Sequence, residues 1–246
     1  MDVIDLHTHT LFSDGDATVE EILQVADGLG YKIGISDHVF CSKMTTESAI
    51  EEYLDKLEQY NVYKGVEANI GDYTKWSDKI LGKLDYVISS VHTYNDTINQ
   101  RTWLAEYFGY RAGHRDNYKQ DYKTTDCRYI LEGILETITK TFQRTKVDIL
   151  GHCTVLPFYE QLIDTDYINT WEEELLTLCE KHQVAIEISG LWKEPNTNFL
   201  KKALKKNILF SLGSDCHKKN EICNLKYPLS TINNLNIPES KMYTIK

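Results

Sequence analysis

Short apolar runs alternate with amphipathic stretches almost from one end of the chain to the other. The runs Val3–Leu6, Ile33–Ser36, Val62–Val66, Tyr86–Val91, Val147–Leu150, Val184–Ile188 and Ile208–Leu212 are too short for helices, and most contain Val or Ile. That is the pattern of buried parallel strands. Between them lie helical patterns. Thr18 followed three residues later by Glu21 is a capping box that opens a helix over Val19–Leu29, and Gly30 ends it. Further helices are predicted over Glu47–Tyr60, near Lys75–Lys83, and over Arg128–Arg144, Asn169–His182 and Asn198–Lys206. In Arg128–Arg144 the residues Ile130, Leu131, Ile134, Leu135, Ile138 and Phe142 recur along one face, which assigns them to the core. Seven strands alternating with helices predict a parallel α/β barrel, distorted or incompletely closed, with residues 1–246 forming one domain.

One segment breaks the rhythm. From Thr93 to Asp126 no strand or clean helix is legible, and a connection that long is usually a lid or binding loop. It carries Arg101, Arg111, Arg115, Lys119 and Lys123 among Trp103, Tyr107, Phe108, Tyr110, Tyr118 and Tyr122. Such a cluster fits a cap that supplies cations to an anionic substrate, or a solvated excursion whose aromatic rings pack on the barrel.

Composition and charge narrow the classes. A formal net charge of −10 argues against a broad electrostatic grip on a nucleic-acid backbone. No apolar run approaches a membrane span and no signal-peptide pattern opens the chain, so a cytoplasmic location is expected. The six cysteines include no Cys-x-x-Cys pair and are read as reduced, with Cys153 and Cys216 as small buried residues behind a site. There is no convincing Ser-His-Asp or Cys-x5-Arg nucleophile.

The polar residues at the strand ends carry the chemistry. His7 and His9 follow the first strand at i, i+2, a spacing that aims both side chains the same way, and Asp14 lies in the turn beyond. Two imidazoles on one face can supply two ligands to a divalent ion, although one core and one surface histidine would give the same letters. The second strand ends in Ser36-Asp37-His38 and the third runs into Glu67. The fourth ends at His92, the fifth at His152, the sixth in Ile186-Glu-Ile-Ser-Gly190 and the seventh in Gly213-Ser-Asp-Cys-His217. Six of the eight histidines therefore fall on one rim, with only His114 and His182 elsewhere. So many titratable groups in one mouth are costly without a metal to satisfy them. Asp37 reads equally as an acceptor that orients an imidazole or as a helix cap.

In order, His-x-His-x-x-x-Ser-Asp-Gly, Ser-Asp-His, an isolated Glu, Ser-x-x-His, Gly-His and Gly-Ser-Asp-x-His resemble the polymerase-and-histidinol-phosphatase (PHP) family, from Met1 to about Asn224. The portion from Ile188 to His217 resembles the histidinol-phosphatase branch. The resemblance implies a distorted barrel of seven β/α units with three divalent ions (Zn, Mn or Fe). His7, His9, Glu67 and Asp215 would hold the first ion; Glu67, His92 and His152 the second; and Asp14, His38 and His217 the third. Gly15 stands where some histidinol phosphatases have a histidine, which softens the third site towards Mn or Fe.

The implied activity is hydrolysis of a small phosphate monoester by a metal-bridging hydroxide, L-histidinol phosphate first, as in histidine biosynthesis. His7, His9, Glu67, His92, His152 and Asp215 would form the catalytic set. Arg111 and Arg115 would bind phosphate oxygens, and His114 is a candidate proton donor to the leaving group. A phosphotyrosine or nucleotide-directed phosphoesterase is the alternative within the fold. A two-metal amidohydrolase and a metal-stabilised binding module are the readings from other classes. Neither a membrane nor a nucleic acid is expected as partner.

Overall fold

The computed structural model describes residues 2–41, 43–95, 101–103, 127–156 and 165–245. Seven parallel strands close into a barrel: β1 (Ile4–Asp5), β2 (Lys32–Ile35), β3 (Tyr63–Asn69), β4 (Tyr86–Ser90), β7 (Ile149–Gly151), β8 (Ala185–Ser189) and β9 (Phe210–Gly213), in that order around the ring. β9 pairs back onto β1 through Asp5 and Leu212, which closes it. The expected distorted (β/α)7 architecture is therefore present.

Several strands begin one or two residues later than the apolar runs do. Val3, Val147, Val184 and Ile208 pack against the core at the amino-terminal approach to the barrel, one or two residues before the first residue of each strand. At the other end, β3 continues to Asn69, so Glu67 lies within a strand rather than beyond one. The pairing of β3 with β4 sets Glu67 opposite Ile88.

Helices α1 (Val19–Leu29), α2 (Glu47–Leu57), α3 (Asp78–Leu81), α4 (Cys127–Arg144), α5 (Asp166–His182) and α6 (Thr197–Leu204) follow the predicted pattern, with α3 shorter than expected. The Thr18–Glu21 capping box is present, and Gly30 ends α1 in the left-handed conformation at φ 69°. The α4 face expected in the core is there: Ile130, Leu131, Ile134, Ile138 and Phe142 are buried, and Leu135 packs against them.

Inside the barrel, Leu6, Tyr86, Ile88, Ile149 and Ala185 form a plug. The Tyr86 ring crosses from β4 to donate its hydroxyl to the Leu6 carbonyl at 2.7 Å. Gly34 and Gly65 make room for it, since a Cβ at Gly34 would meet its hydroxyl at 2.3 Å and one at Gly65 its ring at 2.1 Å. The plug leaves the chemistry at the carboxyl ends of the strands.

Two elements differ from expectation. The stretch from Thr93 opens with an antiparallel pair, β5 (Thr93–Asn95) against β6 (Arg101–Trp103), where no strand was legible. Each is three residues long, too short to establish a period of two. A seventh helix, α7 (Lys226–Leu235), follows the last strand. It lacks a side-chain N-cap and contains Pro228, but buries Pro228, Thr231 and Ile232. Tertiary packing, not local signal, makes it. None of the described helices is long and apolar enough to cross a membrane.

Candidate metal centre

The first strand runs on beyond its regular rungs as His7-Thr8-His9-Thr10, with an isolated bridge from Thr8 to Cys216, and alternation sorts these residues. Thr8 turns outward, donating its hydroxyl to the Gly34 carbonyl at 2.8 Å and its N–H to Ser36 Oγ at 3.1 Å. His7 and His9 therefore share the opposite face, with ring centroids 5.0 Å apart.

Beyond Thr10 the chain turns so that Asp14 returns to the rim. Asp37 organises that turn; among the described residues its carboxylate meets no imidazole and caps no helix, unlike either expectation. Its buried carboxylate accepts the N–H and hydroxyl of Thr10 (2.8 and 2.7 Å) and the N–H and hydroxyl of Ser13 (3.1 and 2.5 Å). Gly15 is required here, because a Cβ would lie 2.4 Å from the His9 carbonyl oxygen. The Asp14 side chain stays 47% exposed, at the solvent-facing edge of the cluster.

Glu67 occupies the centre, 1% exposed. His38 comes alongside because the Asp37 carbonyl accepts the Glu67 N–H and the Val39 N–H reaches the Glu67 carbonyl, extending β2 beyond its regular rungs. Oε2 of Glu67 lies 2.9 Å from His38 Nδ1, 3.3 Å from His7 Nε2 and 3.5 Å from His9 Nε2. Oε1 lies 3.3 Å from both His92 Nε2 and His152 Nε2. Asp215 Oδ1 completes the inner cluster at 3.3 Å from His9 Nε2 and 3.6 Å from His7 Nε2. His217 donates through Nδ1 to the Asp215 carbonyl at 3.1 Å and turns Nε2 towards Asp14 Oδ2 at 3.6 Å, the distance at which His38 Nε2 faces the same oxygen.

Three groups of donor atoms are close enough to share an ion: His7, His9 and Asp215; His9, Asp14, His38 and His217; and His38, Glu67 and His92. All six rim histidines thus converge with Asp14, Glu67 and Asp215. One difference from the expected partition is that His38, rather than His152, completes the group around Glu67 and His92. His152 nevertheless faces the same Glu67 oxygen as His92 does. Arg111, His114 and Arg115 lie outside the described residues. His182, expected elsewhere, packs beside Phe142 with ring centroids 5.7 Å apart.

The donor set fits divalent metal ions. His7 Nε2, both ring nitrogens of His9 and His152 Nδ1 are buried with no hydrogen-bond partner among the described residues. Orphaned imidazole nitrogens around two carboxylates are costly unless a cation satisfies them. The electrostatics agree. Burial opposes ionisation of Glu67, but His7, His92 and His38 outweigh it and hold the carboxyl well below its usual range. Asp215 is lowered by the same competition, burial against His7 and His9. Burial, helped by the charge on His38, pushes His9 down to about 3, so it is neutral and ready to ligate. His217 is pushed up to about 9, because Asp14 and Asp215 overcome its burial.

Three residues with no predicted role support the clustered side chains. Trp192 donates its indole N–H to Asp215 Oδ2 at 2.7 Å. Asp5 Oδ1 accepts from the N–H of Ser214 at 2.8 Å and of His7 at 3.3 Å, and burial lifts its carboxyl to about 6. Glu187, on β8, lies 2.7 Å from His7 Nδ1. A charged residue inside the apolar run Val184–Ile188 was the available signal for it, since an unpartnered carboxylate would not survive there. Cys153 and Cys216 are buried thiols as expected, and burial raises Cys216 to about 12.

Residues 5–190 match the PHP domain family. Over 102 residues the chain is 31% identical to the DNA polymerase/3'-5' exonuclease PolX of Bacillus subtilis (strain 168), a match that covers 36% of this chain and 18% of that protein. The fold is similar to the crystal structure of histidinol phosphate phosphatase from Lactococcus lactis subsp. lactis Il1403, complexed with zinc, L-histidinol and phosphate. The TM-score is 0.60 at 15% identity, over 95% of this chain and 93% of that one. An archaeal ribonuclease P, solved with mature tRNA, aligns at a TM-score of 0.47 and 17% identity, over 96% of this chain and 82% of the other.

Proposed function

The chain belongs to the PHP domain family, and from that premise we propose that it is a metal-dependent phosphoesterase that hydrolyses a small phosphate monoester, L-histidinol phosphate first. The observation that carries this reading is the setting of Glu67. Five imidazole nitrogens lie 2.9–3.5 Å from its two oxygens, three against one oxygen and two against the other. A buried carboxylate with imidazoles gathered at each oxygen is the donor set expected of a ligand shared by two divalent ions. The likeness in fold to a histidinol phosphate phosphatase supports the choice of first substrate.

On this reading His7, His9, Glu67 and Asp215 would hold one ion, Glu67, His92 and His152 a second, and Asp14, His38 and His217 a third. Imidazole mixed with carboxylate suits Zn, Mn or Fe. Such ions supply Lewis acidity that ionises water near neutral pH and offsets the charge gathering on the phosphoryl oxygens. The chain's own contribution is to hold the donors in register. The β1 extension presents His7 and His9 on one face, Asp37 fixes the turn that carries Asp14, and Trp192 pins one oxygen of Asp215. Residues 1–246 would act as one phosphoesterase domain, with the insertion at about 93–126 as a lid. From it Arg111 and Arg115 bind phosphate oxygens, and His114 protonates the leaving alkoxide.

A second reading, a nucleotide-directed phosphoesterase, draws on the likeness to the polymerase/exonuclease, of which this chain spans 18% of the length. The net charge of −10 weighs against a polymeric nucleic acid as substrate. A screen of phosphorylated metabolites separates the two. Selective turnover of histidinol phosphate supports the first reading. Turnover confined to nucleotides, with DNA affinity that falls steeply with salt, favours the second.

A further inference from the structure

We propose that Glu187 is a positioning residue that fixes two ligands on separate strands at once, the ring of His7 through Oε1 and the backbone of His152 through Oε2. The proposal rests on the metal-dependent reading above. Oε1 lies 2.7 Å from His7 Nδ1, and Oε2 accepts the His152 N–H at 2.6 Å. Each oxygen of this buried carboxylate therefore serves a different ligand residue, one following β1 and the other following β7.

The barrel is built around this reach. In ring order β9 lies between β8 and β1, so Oε1 must pass Gly213 to meet His7. A Cβ at Gly213 would sit 2.1 Å from Oε1 and 2.5 Å from the His7 Cβ. On the other flank, a Cβ at Gly151 of β7 would stand 3.4 Å from Oε2. Gly213 thus opens the slot that the carboxylate fills, whereas Gly151 chiefly leaves room for Ser90 Oγ, which a Cβ there would meet at 2.2 Å.

Both contacts bear on ligation. A carboxylate at His7 Nδ1 selects the Nδ1–H tautomer and leaves the Nε2 lone pair aimed at Glu67 and Asp215. His152 has φ 23°, outside the ordinary regions for a side-chain-bearing residue, and the bond from its N–H holds it there. The result is a pair of stacked rings, His7 and His152, with centroids 5.9 Å apart and planes inclined by 15°. Only a carboxylate can accept on both sides. An amide of the same shape must turn its NH2 group towards one of the two donors.

The test uses the full chain and Zn²⁺. In Glu187→Gln with an unchanged circular dichroism spectrum, zinc titration should show affinity lowered about 10–100-fold at the ions held by His7 and His152, with the Asp14–His38–His217 ion retained. Hydrolysis of an aryl phosphate should fall in kcat more than it changes in KM. Imidazole ¹⁵N shifts of zinc-loaded wild-type protein give a readout that needs no variant, and should report His7 protonated at Nδ1. Zinc affinities equal to wild type in Glu187→Gln, or a His7 protonated at Nε2, would overturn the assignment. Wild-type protein that takes up no zinc would instead remove the metal-dependent reading itself.

Discussion

The indole N–H of Trp192 donates to Oδ2 of Asp215 at 2.7 Å, which leaves Oδ1 facing His7, His9 and His217 at 3.3–3.6 Å. One carboxylate oxygen is spent on orientation so that the other points into the cluster. Trp192→Phe keeps most of the ring and removes the donor. It should lower kcat and metal affinity by roughly tenfold while leaving the melting temperature of the metal-free chain close to wild type. Unchanged metal affinity would mean that the bond does not orient Asp215.

Asp37 meets two N–H groups and two hydroxyls from the Thr10–Ser13 turn, all while buried. Asp37→Asn places an NH2 group against at least one N–H donor, so it should cost about 2 kcal/mol of stability by chemical denaturation. Because that turn carries Asp14, the variant should also lose metal from the Asp14 corner before the inner cluster.

Arg115→Ala tests the lid. If this residue only binds phosphate, KM should rise while kcat changes little, as measured by initial rates across substrate concentrations. An unchanged KM takes Arg115 out of the substrate site.

Metal uptake should depend on pH with a definite sign. His217 is held up to about 9, and His7, His38 and His152 are also raised, by carboxylates that outweigh their burial. Below those values each carries a proton that an incoming cation must displace, so affinity falls as pH falls, roughly tenfold per unit for each proton displaced. His9, down at about 3, contributes no such proton. Calorimetric zinc titrations of the metal-free chain in buffers of different ionisation enthalpy count the protons released. Release should be clear at pH 7 and smaller at pH 9.5.

Much of this arrangement was legible in the sequence because strands and their ends announce themselves. Alternation after β1 paired His7 with His9, and every later apolar run except the sixth led into a ligand-type residue, so one rim could be assembled without coordinates. Glu67 was found for the same reason, although it lies within β3 rather than after it. What stayed hidden depends on contacts across the ring. Glu187 reads as one polar letter in a buried strand until Gly213 and Gly151 are seen flanking it. Asp37 gave no sign that its partners were Thr10 and Ser13, more than twenty residues earlier in the chain. Helix α7 lacks a side-chain N-cap and carries a proline, and is made by burial of Pro228 and Ile232.

The central claim is that nine side chains from separate strand ends gather to bind metal for phosphoester hydrolysis. It is tested most directly by metal analysis of the purified full chain, with aryl phosphate turnover followed before and after chelation. The account predicts close to three divalent ions per chain, activity abolished by chelation and restored by Zn²⁺ or Mn²⁺, and a folded but inactive His92→Ala. One or two ions per chain, turnover indifferent to chelation, or a fully active His92→Ala would contradict it.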